Sequence, residues 1–260
     1  MSVVIDELPP HIDEEAVQQR ARRFAQSESL EAPDSKQEVE PYFSFIHADE
    51  LAQGDFRVNY LIPGVLAERQ SAIIAGQFKT LKTSIGLDIA LALASGTRFL
   101  DRFNIPERKK TLLLTAESGL ATVKETCLRI YDSMGIKLGD QKDYFTVTDR
   151  VPRLQNSGHL LELSEYVKAN DYEVMIADPA YLMLDGSDAG NVFSMGDQLR
   201  VFRDIATDAE ATPILIHHAK KNNTNAIEHR PLELVDLAWA GFAEFARQWI
   251  LLSRRDRYED

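Results

Sequence analysis

The chain has 260 residues and 44% hydrophobic side chains, enough for one α/β domain with an appendage. Forty-one acidic against 29 basic residues give a formal net charge of −12, which argues against a broad nucleic-acid-binding face but not against a narrow basic channel or one built by an oligomer. One cysteine, Cys127, excludes an intrachain disulfide framework and a cysteine-only zinc site, and with no apolar run of about 18 residues and no basic-then-apolar leader the chain is expected to be soluble and cytoplasmic, with no membrane partner.

Residues 1–40 read as a flexible acidic tail, rich in Ser, Gln and Glu and poor in large apolar groups. Twelve acidic and four basic side chains fall in residues 1–50, so most of the charge excess lies there. Ile12, Val17, Ala21 and Phe24 share one helical face, in a segment whose composition favours solvated chain. Residues 41–260 form the expected folded domain. Aromatics and Leu61-Ile62-Pro63-Gly64 lead into the first core strand, Ser71 to Ala75. A helix spans Ser84 to Ala94. Thr111 to Thr115 is a buried strand, followed by a helix to about Met134 that carries Cys127 in its core pattern. Tyr144 to Thr148 is a strand and Gly158 to Ala169 a helix. Glu173 to Asp178 is a strand ending in an acid, and Phe193 to Ala209 a helix. Thr212 to Ile216 and Gln248 to Leu252 are the last strands, separated by a polar loop at 219–232. Alternation of this kind predicts an α/β fold, a mostly parallel twisted sheet with helices on both faces. A ligand is then expected beyond the strand C-termini.

Between the first strand and the first long helix stands Gly76-Gln77-Phe78-Lys79-Thr80-Leu81-Lys82-Thr83-Ser84. It reads as G-x-x-x-x-G-K-[ST] with Leu81 in place of the second glycine. Strand, tight loop and helix are the context in which this pattern cradles phosphates: backbone N–H groups and the helix N-terminus present partial positive charge. Lys82 is expected to reach the β/γ-phosphates of ATP and Thr83 to place its hydroxyl on Mg²⁺. Lys79 is a second cation near the phosphates. Reading Lys79-Thr80 as the K-[ST] pair fails, because Ile73 and Phe78 would have to be glycines.

Other candidates stand at strand ends. A carboxylate at Asp178 can hold Mg²⁺ beside Thr83. Glu117, just after Thr111–Thr115, can polarise the water that attacks the γ-phosphate; a helix-start acid is the plainer alternative. His217 or His218 can contact the γ-phosphate and report it. Adjacent strand residues face opposite ways, so the pair ill suits one metal. Arg247, Arg254 and Arg255 flank the last strand. An arginine supplied across a subunit boundary can stabilise phosphoryl charge, and surface arginines bracketing a strand are an equal alternative. Trp239 and Trp249 read as packing residues.

These residues, in this order and spacing, resemble RecA-like P-loop ATPases, and within them the RepA-like branch of plasmid-replication helicases and its relatives among AAA-family ATPases. The likeness rests on Leu61-Ile62-Pro63-Gly64, the loop Gly76–Thr83, Ala116-Glu117-Ser118-Gly119, Ile176-Ala177-Asp178-Pro179, His217-His218 and Phe245-Ala246-Arg247-Gln248-Trp249. It implies ATP hydrolysis with Mg²⁺, a ring-shaped homo-oligomer and single-stranded DNA as partner. In it Lys82 and Thr83 match the first nucleotide motif, Asp178 the second, Glu117 the catalytic glutamate and the histidine pair the γ-phosphate sensor. Leu81 departs from the pattern, which favours an alternative reading as a nucleotide-gated binding or scaffold protein with little turnover. A small-molecule kinase on the same fold needs an arginine-bearing lid, for which the 219–232 loop offers Arg230.

Overall fold

The computed structural model describes residues 45–220 and 230–254. The acidic tail at 1–40, the Ile12–Phe24 pattern, Arg255 and positions 221–229 of the polar loop lie outside the described residues. The chain divides into two compact units, one ending at Phe56 and one beginning at Arg57. Within the first, the described residues hold one short helix, α1 (Ala48–Gln53), whose first turn is closed by Glu50 accepting a hydrogen bond from the His47 N–H at 3.2 Å.

The second unit opens with an antiparallel pair, β1 (Tyr60–Ile62) and β2 (Leu66–Ala67). Leu61-Ile62-Pro63-Gly64 is therefore the first arm and turn of a separate hairpin rather than a simple lead-in. Gly64 supplies the positive φ of 75° that the turn requires. The Gln248 side-chain amide clamps this hairpin to the main sheet, accepting from Ala67 N–H at 2.7 Å and donating to the Ala67 carbonyl at 2.9 Å.

The chain then alternates through β3 (Ala72–Gly76), α2 (Lys82–Ser95), β4 (Thr111–Thr115), α3 (Leu120–Met134), β5 (Phe145–Thr148), α4 (Ser157–Ala169), β6 (Val174–Asp178), α5 (Val192–Asp208), β7 (Thr212–His218), the short α6 (Phe242–Phe245) and β8 (Gln248–Leu252). Six strands form one sheet in the order β5-β4-β6-β7-β3-β8, every pair parallel. Sequence-local alternation of strand and helix forces this: a parallel neighbour needs a crossover, and the helices supply it. This is the α/β arrangement expected from the sequence.

Strands β3, β4 and β6 are buried at every residue. They read as unbroken apolar runs because both faces are covered. Alternate residues serve the two layers. Ile74, Leu113, Ile176 and Ile216 meet α2 and α3 through Leu87, Leu91, Val123, Cys127 and Tyr131. Ile73, Leu112, Met175 and Leu215 meet α4 and α5 through Leu163, Val167, Leu199 and Phe202. Helix α2 is apolar almost all round because it lies between the sheet and α3. Gly86 lets it approach: a Cβ there would stand 2.5 Å from Ile216 Cδ1.

Candidate functional site

Parallel pairing gathers all six strand C-termini along one edge of the sheet. Gly76 faces His218 across β3 and β7, and Thr115 faces Asp178 across β4 and β6. From β3 the chain crosses β7 and β6 to reach β4, while β8 occupies the other flank of β3. That divergence opens the crevice in which such sheets bind ligands.

The connection from Gly76 to α2 is a five-residue loop, 77–81. Lys79 and Leu81 take left-handed backbone angles, φ 57° and 62°. Leu81 is the residue immediately before α2, and its side chain is 71% exposed, so the strain falls on the backbone and displaces nothing in the core. At Gly76 no side chain fits: a Cβ would stand 2.4 Å from Thr80 Oγ1 and 2.8 Å from the Leu252 carbonyl oxygen. The Gln77 carbonyl accepts from both Thr80 Oγ1 and Lys82 Nζ, each at 2.8 Å. Arg254, two residues past β8, donates to the Phe78 carbonyl. Two cations thus rest on loop carbonyls, beside the N-terminus of a 14-residue helix.

Opposite them lie two carboxylates. Asp178 is 2% exposed; burial, with the Glu117 charge adding, pushes its carboxyl up to about 6, against the hydrogen bond from Thr83 and the charge of Lys82. Its Oδ2 has no hydrogen-bond partner. Burial draws the Lys82 ammonium below its ordinary range and Arg254 adds to this, while Asp178 and Glu117 act against it. Glu117 is exposed, and its charge reaches Lys82, Asp178, Tyr181 and His218. Loop, lysine, hydroxyl and both carboxylates are thereby brought together at one edge of the sheet.

The two histidines part. β7 runs two residues further than its apolar pattern, through both of them. His218 is half-buried, its ring 5.6 Å from that of Tyr181. Burial and the Lys82 charge hold its imidazole below the usual range. His217 is 1% exposed and its ring lies on Phe242. Its Nε2–H donates to the Ala238 carbonyl at 2.7 Å, leaving Nδ1 as a bare acceptor, and burial lowers its pKa to about 4. The sequence left the pair undivided; side-chain alternation assigns His218 to the α2 layer and His217 to the α5 layer.

Arg247 is not brought to this edge. Its N–H donates to Ser71 O at the start of β3, at the far end of the sheet from Lys82. Arg230 is engaged by Asp236 through two hydrogen bonds of 2.8 and 2.5 Å. Tyr181, within the 3₁₀ turn Ala180–Met183, was not singled out by sequence. Its ring is tilted by 48° to that of His218 and meets Trp239 edge-on at 6.3 Å. Its place three residues after the strand-ending acid was the available signal.

A divalent ion fits this donor set in one respect. Thr83 and the Asp178 carboxylate offer hard oxygen ligands, but no group of three or more His, Cys, Asp or Glu side chains converges among the described residues. Such a site leaves the remaining ligands to phosphate and water, as Mg²⁺ prefers. Among the described residues no helix is long and apolar enough to cross a membrane.

Residues 37–224 match a family described as an AAA domain, well over half of the chain. A search of curated proteins returned no match.

Proposed function

The chain belongs to the AAA-domain family of P-loop nucleotide-binding ATPases, and from that premise we propose that it hydrolyses ATP with Mg²⁺ at the edge of the sheet formed by Gly76–Ser84, Glu117 and Asp178. One observation carries the reading: Lys82, tied to the Gln77 carbonyl, and Thr83 stand within electrostatic reach of the buried Asp178 carboxylate at the mouth of the phosphate-type loop. In this reading the backbone of Gln77 to Leu81 and the first turn of α2, including Ser84, bind the phosphates. Lys82 exchanges the Gln77 carbonyl for phosphate oxygens. Thr83 and Asp178 hold Mg²⁺, which supplies charge neutralisation across the phosphates. Glu117, exposed and within Coulombic reach of Lys82 and Asp178, orients and deprotonates the attacking water. His218 stands nearest the loop and reads the phosphate state; His217 anchors the turn behind it.

We further propose the RepA-like role, a ring of subunits working on single-stranded DNA. Its support is the resemblance in the histidine pair and in the Phe245–Trp249 segment. Arg247 lies at the opposite end of β8 from its own Lys82, so any service it gives to phosphoryl transfer is to a neighbouring subunit. The test is steady-state phosphate release with and without single-stranded DNA, beside Lys82→Ala. Stimulation by DNA and loss in Lys82→Ala support the motor. A second reading, a nucleotide-gated switch, draws on Leu81 and its φ of 62°. It predicts tight ATP binding, little turnover and no effect of Glu117→Ala on that basal rate.

A further inference from the structure

Several buried polar side chains among the described residues are hydrogen-bonded, and the bare Nδ1 of His217 belongs to a ring already tied through Nε2. Thr111 donates to the Lys109 carbonyl at 3.2 Å, Thr212 accepts from Arg69 N–H at 2.8 Å, Asp88 accepts from Leu100 N–H at 3.0 Å and Gln141 accepts from Arg108 at 2.7 Å. Thr115 differs. It is 0% exposed at the last position of β4, and its Oγ1 has no partner. Its cross-strand neighbour is Asp178, whose Oδ2 is likewise buried and unpartnered. Side chains directly opposite on parallel strands share a face. Leu113 and Ile176, two residues earlier on each strand, both pack in the α2 layer. Thr115 and Asp178 therefore continue that face at the crevice, on the side of Lys82 and Thr83.

A threonine hydroxyl at such a position costs stability unless something bonds it, and valine would fill the same volume without that cost. The two orphaned oxygens belong to cross-strand partners and make no direct hydrogen bond, and a buried polar pair of that kind is where a bridging water can satisfy both.

We propose that Thr115 is a positioning residue of the nucleotide site: its hydroxyl and Asp178 Oδ2 share one water molecule, which fixes the carboxylate in the orientation that faces Mg²⁺. The inference rests on the nucleotide reading above and adds a residue to it. Thr115 touches neither phosphate nor ion and acts through Asp178 alone.

The experiment is equilibrium binding of a non-hydrolysable ATP analogue to the full chain across a Mg²⁺ titration, with thermal unfolding measured on the same proteins. Thr115→Val is expected to raise the half-saturating Mg²⁺ concentration by about tenfold, the low end for loss of a group that orients a metal ligand. Nucleotide affinity in EDTA is expected to stay unchanged and Thr115→Ser to behave as wild type, and because the proposal has the hydroxyl bonded through water the valine variant is expected to gain no stability. A valine variant that gains stability and keeps the wild-type Mg²⁺ dependence overturns the proposal, since the hydroxyl is then merely unsatisfied. Should valine prevent folding, Thr115→Ala carries the same two outcomes. Lys82→Ala run alongside separates the failures. If wild type shows no Mg²⁺-dependent binding, or Lys82→Ala leaves it intact, the nucleotide reading fails. If Lys82→Ala weakens binding and Thr115→Val does nothing, only the role of Thr115 fails.

Discussion

The His217 imidazole lies flat on the Phe242 ring, centroids 3.6 Å apart and planes inclined by 9°. With Nε2–H bound to the Ala238 carbonyl, the ring joins the end of β7 to the segment that leads into α6. Protonation would put a cation in an apolar layer, which is why its pKa falls to about 4 from 6.5.

Between pH 6.5 and 4 the unfolded chain binds a proton at this position that the folded chain refuses, so stability falls as pH falls through that window and is fully present above it. The shift corresponds to about 3 kcal/mol at most. His217→Gln keeps an amide donor for Ala238 but does not titrate. Urea unfolding from pH 7.5 to 4.5 is expected to show a steeper loss in wild type than in the variant. Parallel curves would show that His217 is not the buried neutral base described.

Leu81 offers a test of backbone strain separate from chemistry. Its φ of 62° costs an L-residue roughly 1–2 kcal/mol, and its exposed side chain has little packing to lose. Glycine removes the strain but adds freedom to the unfolded chain, worth roughly 0.5–1 kcal/mol against it. Leu81→Gly is expected to stabilise by up to about 1 kcal/mol in denaturant unfolding and to bind ATP at least as tightly. A destabilised variant would mean that the leucine side chain makes a contribution its exposure does not explain.

In the proposed reading Glu117 acts on water rather than on phosphate. Glu117→Gln preserves size and hydrogen bonding while removing the base. Turnover is expected to fall by about 10²-fold or more with ATP affinity held within a few-fold, read by phosphate release and equilibrium binding on the same preparation. Equal loss in both would make Glu117 a binding residue.

Much of this was legible in the chain. Ile73-Ile74, Leu112-Leu113-Leu114 and Met175-Ile176-Ala177 are runs that only doubly covered strands support, so sheet and strand ends could be placed before side chains were seen. The loop, Lys82, Thr83, Glu117 and Asp178 carried their own spacing. What could not be read were relations between distant strands. That Thr115 sits opposite Asp178 depends on β4 and β6 being neighbours, and strand order is not written in local pattern. The division of His217 from His218 depended on which layer each face meets. Leu61 to Gly64 misled because a three-residue strand and its turn look like any apolar lead-in. Trp249, whose apolar setting predicts packing, is 50% exposed on the flanking strand β8.

The central claim is that a triphosphate binds against residues 76–84 with Lys82 and a divalent ion countering its charge. Equilibrium titration of the purified 260-residue chain with ATP, with Mg²⁺ and with EDTA, tests it most directly. The account predicts saturable binding strengthened by Mg²⁺ and weakened about 10–100-fold in Lys82→Ala, the worth of a charge-assisted contact. Absence of ATP affinity in the wild type, or a Lys82→Ala protein that binds as wild type does, would contradict it.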